Sequence, residues 1–182
     1  MLAGLFMVAG TCGLLFIGRE KARIIGQTIT ELDLQPLMNT DKPITPEMMT
    51  GKVVVLHFWG FWCGPCALEY PSFAKVQRAF KGDESVLFLS VSCSDKPNDT
   101  DESLGFYTKK FLDLYGGEEF PIYSDPVEYS RAQLSKLMTT GGFSYPTTLV
   151  LDGQGKVTDI WRDAVTEKTL ASAIEKAKLA KP

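Results

Sequence analysis

Apolar positions along this chain fall into unbroken runs, alternations and helical spacings, and each predicts a different element. Residues 53–59, Val-Val-Val-Leu-His-Phe-Trp, form a run without alternation, and 86–91 is a second. Runs of this length fit strands covered on both faces, so 53–59 is expected at the centre of a sheet. Between them Leu68, Phe73, Val76 and Phe80 recur at helical spacing until Lys81-Gly82 closes the segment. Strand, helix, strand is the unit of a parallel pair.

Upstream, Ile29-Thr30-Glu31-Leu32-Asp33-Leu34 alternates and reads as a half-buried strand that Pro36 ends. Residues 42–51 read as a turn with one short helical piece stopped by Gly51. Downstream, a polar stretch at 94–101 precedes a predicted helix with Leu104, Tyr107, Phe111, Leu114 and Tyr115 on one side. A short strand follows at 120–123. Asp125-Pro126-Val127-Glu128 carries a cap residue, a first-turn proline and an acid three after the cap, predicting a helix to about 138 that Gly141-Gly142 ends. Strands at 147–151 and 156–161 flank the turn at 152–155, and a last helix spans 166–178.

The amino end differs. Residues 2–17 carry no charge, and a run of this size borders on the roughly 17–25 residues of a membrane-spanning helix. We read 1–25 as an anchor or signal segment with a short charged link, and 26–182 as the folded domain. Arg19, Lys21 and Arg23 follow the run, whereas export of the carboxyl side places positive residues before it. Cys12 faintly matches a lipoprotein cleavage box, against which Thr11 stands as a poor preceding residue.

Composition narrows the function classes. A chain of 182 residues, 45% of them hydrophobic, suffices for one domain with a core. A net charge of −3 with scattered lysines offers no field to hold a phosphate backbone, which sets nucleic acid aside. Four cysteines do not make a disulfide scaffold at this length, and only Cys63 and Cys66 are closely spaced.

Those two cysteines follow a strand and open a helix, so they lie close enough to form a disulfide with little backbone movement. Unpaired N–H groups and the positive helix end favour a thiolate on Cys63; in such motifs the thiol falls from roughly 8.5 toward 3.5–7.5. Cys63 is the expected exposed nucleophile and Cys66, one turn in, the more covered resolving thiol. Zinc lacks further ligands, since His57 is the single histidine, and covalent haem attachment needs histidine where Ala67 stands. No metal or cofactor is called for. A structural bridge remains, but it closes too small a loop to restrict the unfolded chain much, and a redox couple is favoured.

Phe58-Trp59-Gly60-Phe61-Trp62-Cys63-Gly64-Pro65-Cys66 resembles the active-site signature of thioredoxins, and Ala67-Leu68-Glu69-Tyr70-Pro71 resembles its continuation in the TlpA/ResA-like branch. Gly51-Lys52, the added helical segment, and Tyr145-Pro146-Thr147-Thr148 before Leu149-Val150-Leu151-Asp152-Gly153 are similar to it as well, covering 26–178. The resemblance implies an α/β thioredoxin fold: a central mixed sheet flanked by helices, with an N-terminal strand extension and a central helical insertion. It implies a membrane-tethered extracytoplasmic domain, exchange with protein thiols and disulfides, often those of apocytochrome c before haem attachment, and recharging by a membrane thiol donor. It also implies a cis Tyr145–Pro146 bond facing the dithiol.

His57 stands where thioredoxins carry a buried aspartate. As a neutral core imidazole it is a candidate base for Cys66, the alternative being a hydrogen-bonded core residue. Phe61, Trp62 and Tyr145 are candidates to line the substrate groove. Glu69 is expected only to complement the helix dipole, Pro71 to kink the helix, and Trp59 and Cys93 to pack in the core. Gly64-Pro65 resembles reducing thioredoxins, near −270 mV, rather than oxidants near about −120 mV. Two rivals stand beside this reading: a redox-inert binding module of the same fold, and a peroxiredoxin-type peroxidase, whose motif needs threonine where Gly60 stands.

Overall fold

The structure, a computed structural model, describes residues 23–96, 100–138 and 143–180. Its centre is β2 (Val53–Trp59), every residue of which is buried. β2 pairs in parallel with β3 (Val86–Ser92) and antiparallel with β5 (Thr147–Leu151), so both edges of the apolar run are hydrogen-bonded. β1 (Gln35–Met38), β4 (Ile122–Ser124) and β6 (Val157–Trp161) complete a mixed six-stranded sheet of order β1-β4-β3-β2-β5-β6.

Successive side chains of a strand point to opposite faces, so β2 supplies two cores at once. Val54, Leu56 and Phe58 pack with Leu89, Val91, Leu149, Leu151, Ile24 and Leu134. Val53, Val55 and Trp59 pack with Tyr70, Phe73, Phe111, Leu170 and Ile174. The second face is covered by α2 (Gly64–Ala79), α3 (Asp101–Tyr115) and α5 (Glu167–Lys178), while Leu134 comes from α4 (Tyr129–Leu137) and α1 (Pro46–Met49) is the short helical piece. Each fully buried side chain such as Phe58 or Phe73 contributes about 1.5–3 kcal/mol.

Several expectations are corrected. Residues 29–34 form no strand: Ile29 and Leu34, which an alternation would put on opposite faces, are buried in one core, and the backbone is held by scattered bonds, Ile29 N to Gly155 O, Asp33 N to Ser130 Oγ and Ile44 N to Leu34 O. The strand begins at Gln35 and runs through Pro36, because β1 lies at the sheet edge, where proline costs few ladder bonds. β4 starts later than expected, at Ile122. α4 begins only at Tyr129, after a 3-10 turn Pro126–Glu128 in which Val127 and Glu128 are left-handed. Asp125 does cap it, but through Ser130 N and Arg131 N. On α2 and α3 the buried faces are rotated from those expected, for Leu68 and Leu114 are 84% and 78% exposed.

The apolar run, Cys12 and Gly141-Gly142 lie outside the described residues. Among those described, no helix is long and apolar enough to cross a membrane.

Candidate active site

The chain leaves β2 through Gly60-Phe61-Trp62 and enters α2 at Cys63, its N-cap. Cys63 Sγ accepts a hydrogen bond from Cys66 N at 3.2 Å, as a capping oxygen does elsewhere. Pro65 sits in the first turn, where its missing N–H costs nothing. Cys63 and Cys66 are joined in a disulfide, with Cα atoms 5.2 Å apart. The sulfurs therefore represent the oxidised couple; once reduced, Cys63 Sγ stands at the helix's positive end, where a thiolate is stabilised. Cys63 is 5% exposed and Cys66 not at all, so the order of accessibility is as expected while Cys63 is more covered than expected. α2 runs through Pro71 without interruption.

Three aromatic side chains surround this end of the sheet. Trp62, 39% exposed, donates its Nε1–H to the Cys93 carbonyl at 3.0 Å and meets the Tyr145 ring edge-on at 5.1 Å. That contact sets the Tyr145–Pro146 bond, which is cis, beside the residue preceding Cys63. Phe61 turns the other way and stacks on Tyr107 of α3 at 4.9 Å, tying the insertion helix to the motif. Gly60 is required here: a Cβ would come within 2.6 Å of the Trp62 indole and 3.1 Å of the Cys93 carbonyl oxygen. Trp59 and Cys93 are core residues, and burial pushes the Cys93 thiol up to about 12.

On β2, His57 is wholly buried, stacked on Phe73 at 4.1 Å and hydrogen-bonded through Nδ1 to Thr148 Oγ1 at 2.9 Å. Desolvation lowers it to about 3, so it stays neutral. Its Nε2 faces Glu69 Oε2 at 3.9 Å. Glu69 is thus no exposed partner of the helix dipole. It lies on the buried side of α2 with Cys66, Tyr70 and Phe73, its Oε1 accepts the Val165 N–H at 2.9 Å, and burial raises its carboxyl to about 7. The signal for it was present in the sequence: Cys66, Glu69, Tyr70 and Phe73 share one helical face. Arg131, whose Nη1 donates to the Tyr145 hydroxyl, had no such local signal.

The family model described as the AhpC/TSA family matches residues 25–160. The chain belongs to the AhpC/TSA family. Among relatives, this AhpC/TSA protein is 29% identical over 125 residues to the thioredoxin-like protein YneN of Bacillus subtilis, spanning 69% of this chain and 65% of YneN. It is 27% identical over 163 residues to the thiol-disulfide oxidoreductase ResA of Geobacillus thermodenitrificans, spanning 90% of this chain and 83% of ResA. Its fold matches the crystal structure of a secreted thiol-disulfide isomerase from Corynebacterium glutamicum with a TM-score of 0.65 at 21% identity, covering 84% of this chain and 85% of that one. The six-stranded mixed sheet with flanking helices is a thioredoxin-like fold.

Proposed function

We propose that this protein is a thiol–disulfide oxidoreductase that reduces disulfides of extracytoplasmic proteins, apocytochrome c before haem attachment being one candidate substrate. The observation that carries the reading is the Cys63–Cys66 disulfide at the start of α2, with Cys63 the more accessible sulfur. The names of the ResA and YneN relatives support it.

In the reduced protein the Cys63 thiolate attacks a substrate disulfide. A Cys63–substrate disulfide forms, and the first substrate sulfur leaves as a thiolate that takes a proton from water. Cys66 then gives up its proton, its thiolate attacks Cys63 Sγ, and the second substrate sulfur leaves. The Cys63–Cys66 bond closes, and two electrons have passed to the substrate.

Glu69, three residues after Cys66 on the buried side of α2, rather than His57, is the candidate base for the Cys66 proton. A carboxyl near 7 suits proton transfer at neutral pH, whereas an imidazole near 3 is too weak a base to act alone. His57 then acts through Glu69 as the neutral polar group facing its free oxygen. Phe61, Trp62 and Tyr145 supply apolar surface for an unfolded substrate, and backbone groups beside Pro146 pair with its chain.

Peroxidase chemistry of the peroxiredoxin type is disfavoured because Gly60 stands where its motif needs threonine, and a Cβ there would meet the Trp62 indole. The oxidised form needs recharging by a thiol donor, for which a membrane thiol transporter fits an N-terminal tether. The test is a Cys66→Ser form incubated with cell-envelope extract. A reductase traps partners through Cys63 that reductant releases; an inert binding module yields none. Alkylation of reduced Cys63 in intact cells by a membrane-impermeant reagent checks the compartment.

A further inference from the structure

Arg131 is a buried cation that the exchange chemistry does not use. It is 6% exposed, and its Nε and Nη1 are both engaged. Nε donates to Asp125 Oδ2 at 2.9 Å, Nη1 donates to the Tyr145 hydroxyl, and Nη1 lies 3.9 Å from the exposed Glu128 carboxylate. The guanidinium carbon also sits 5.9 Å from the centre of the Tyr145 ring.

Asp125, equally buried, is itself immobilised. Its Oδ1 accepts Ser130 N at 2.8 Å, and its Oδ2 accepts Arg131 N at 3.0 Å as well as Nε. It directly follows β4, whose three residues are buried and paired in the sheet. A rigid line therefore runs from the sheet through Asp125 and Arg131 to Tyr145. From there it reaches Trp62 by ring contact and Pro146 by one peptide bond.

Sequestering a guanidinium is costly unless its donors find partners, and here Nε is matched to a carboxylate and Nη1 to the tyrosine that meets Trp62. Without that grip, the Tyr145 side chain would lose the bond that holds its hydroxyl, and Trp62 would lose a fixed partner.

We propose that Arg131 is a positioning residue. By gripping the Tyr145 hydroxyl from the Asp125 anchor, it holds the Tyr145–Pro146 segment and Trp62 in the shape that receives an extended polypeptide, and so favours protein over small-molecule disulfides. This rests on the reading of Cys63 and Cys66 as an exchange couple.

The test compares the reduced full chain with its Arg131→Met, Tyr145→Phe and double variants, each reducing insulin and a small aromatic disulfide. Arg131→Met leaves the Asp125 bonds to the main-chain N–H groups of Ser130 and Arg131, so the start of α4 is kept. Tyr145→Phe keeps the ring. The insulin-to-small-disulfide rate ratio falls roughly tenfold in either single variant, mainly through KM, the size expected for one lost charge-assisted hydrogen bond. It falls no further in the double variant, because both substitutions remove the same bond. Unchanged ratios in the single variants, or losses that add in the double, overturn the positioning role while leaving exchange intact. A reduced wild-type chain that exchanges with neither disulfide overturns the couple and this inference together.

Discussion

Glu69 Oε2 and His57 Nε2 face each other at 3.9 Å, both side chains fully buried, and neither atom has a hydrogen-bond partner among the described residues. The gap is too long for a direct bond, and a small approach would close it. Burial acts on the two in opposite senses, since it disfavours charge on each. The carboxyl rises to about 7 and the imidazole falls to about 3.

The first prediction concerns stability. The unfolded chain releases the Glu69 proton near 4.5 and the native chain near 7, so stability falls as pH rises through that window. His57 works the other way. It is neutral in the native chain down to about 3 but charged below 6.5 when unfolded, so stability rises between those values. The two slopes oppose each other from 4.5 to 6.5, and above that only Glu69 remains. Glu69→Gln should therefore gain on the wild type between pH 5 and pH 8, by as much as roughly 3 kcal/mol for a shift of this size. Urea unfolding at both pH values measures it; parallel wild-type and variant profiles would refute the shift.

Kinetics separate the two partners. Glu69→Gln should slow closure of the Cys63–Cys66 bond about 100-fold, the low end for losing a general base, with a smaller effect on attack by Cys63. His57→Ala should also slow release of the mixed disulfide more than its formation. Stopped-flow single turnovers resolve the two steps, and equal slowing of both would count against the pair's part in proton transfer.

His57→Ala carries a structural cost besides. It empties the space against Phe73 and leaves Thr148 Oγ1 without its 2.9 Å partner, which together should destabilise the fold by about 2–4 kcal/mol. A thermal melt of oxidised protein shows it; a variant as stable as the wild type contradicts the packing described.

Gly60→Ala should displace Trp62. The added methyl meets the indole, breaks its bond to the Cys93 carbonyl, and costs about 1–3 kcal/mol of overpacking. A shift in tryptophan emission with slower reaction on protein disulfides is the expected readout, and unchanged emission would mean that the indole is not held there.

Cys93 should resist alkylation in the folded, reduced protein at pH 8, because its thiol is wholly buried and titrates near 12. Mass spectrometry after brief treatment with iodoacetamide should find Cys63 modified and Cys93 free until denaturant is added. Labelling of Cys93 at the rate of Cys63 would contradict its burial.

Runs and spacings alone determined much of this protein. The strands at 53–59, 86–92 and 147–151, the helix after Cys66 and the placement of the cysteines were legible because each depends on a pattern of side chains within one element. Cys63 at a helix's leading end is a local fact. Tertiary structure decided the rest. Residues 29–34 carry the apolar and polar mix of a strand, but Ile29 and Leu34 rest on the core, and among the described residues no strand forms a ladder with them. Leu68 lies outside and Glu69 inside because the side of α2 that meets the sheet is set by what covers it, His57 and Val165 included. Thr148 meets His57 across 91 residues, and the Val165 N–H meets Glu69 across 96. Whether a polar side chain can be buried depends on the partner that receives it, and for Glu69, His57 and Arg131 those partners are supplied only when distant segments of the folded chain come together.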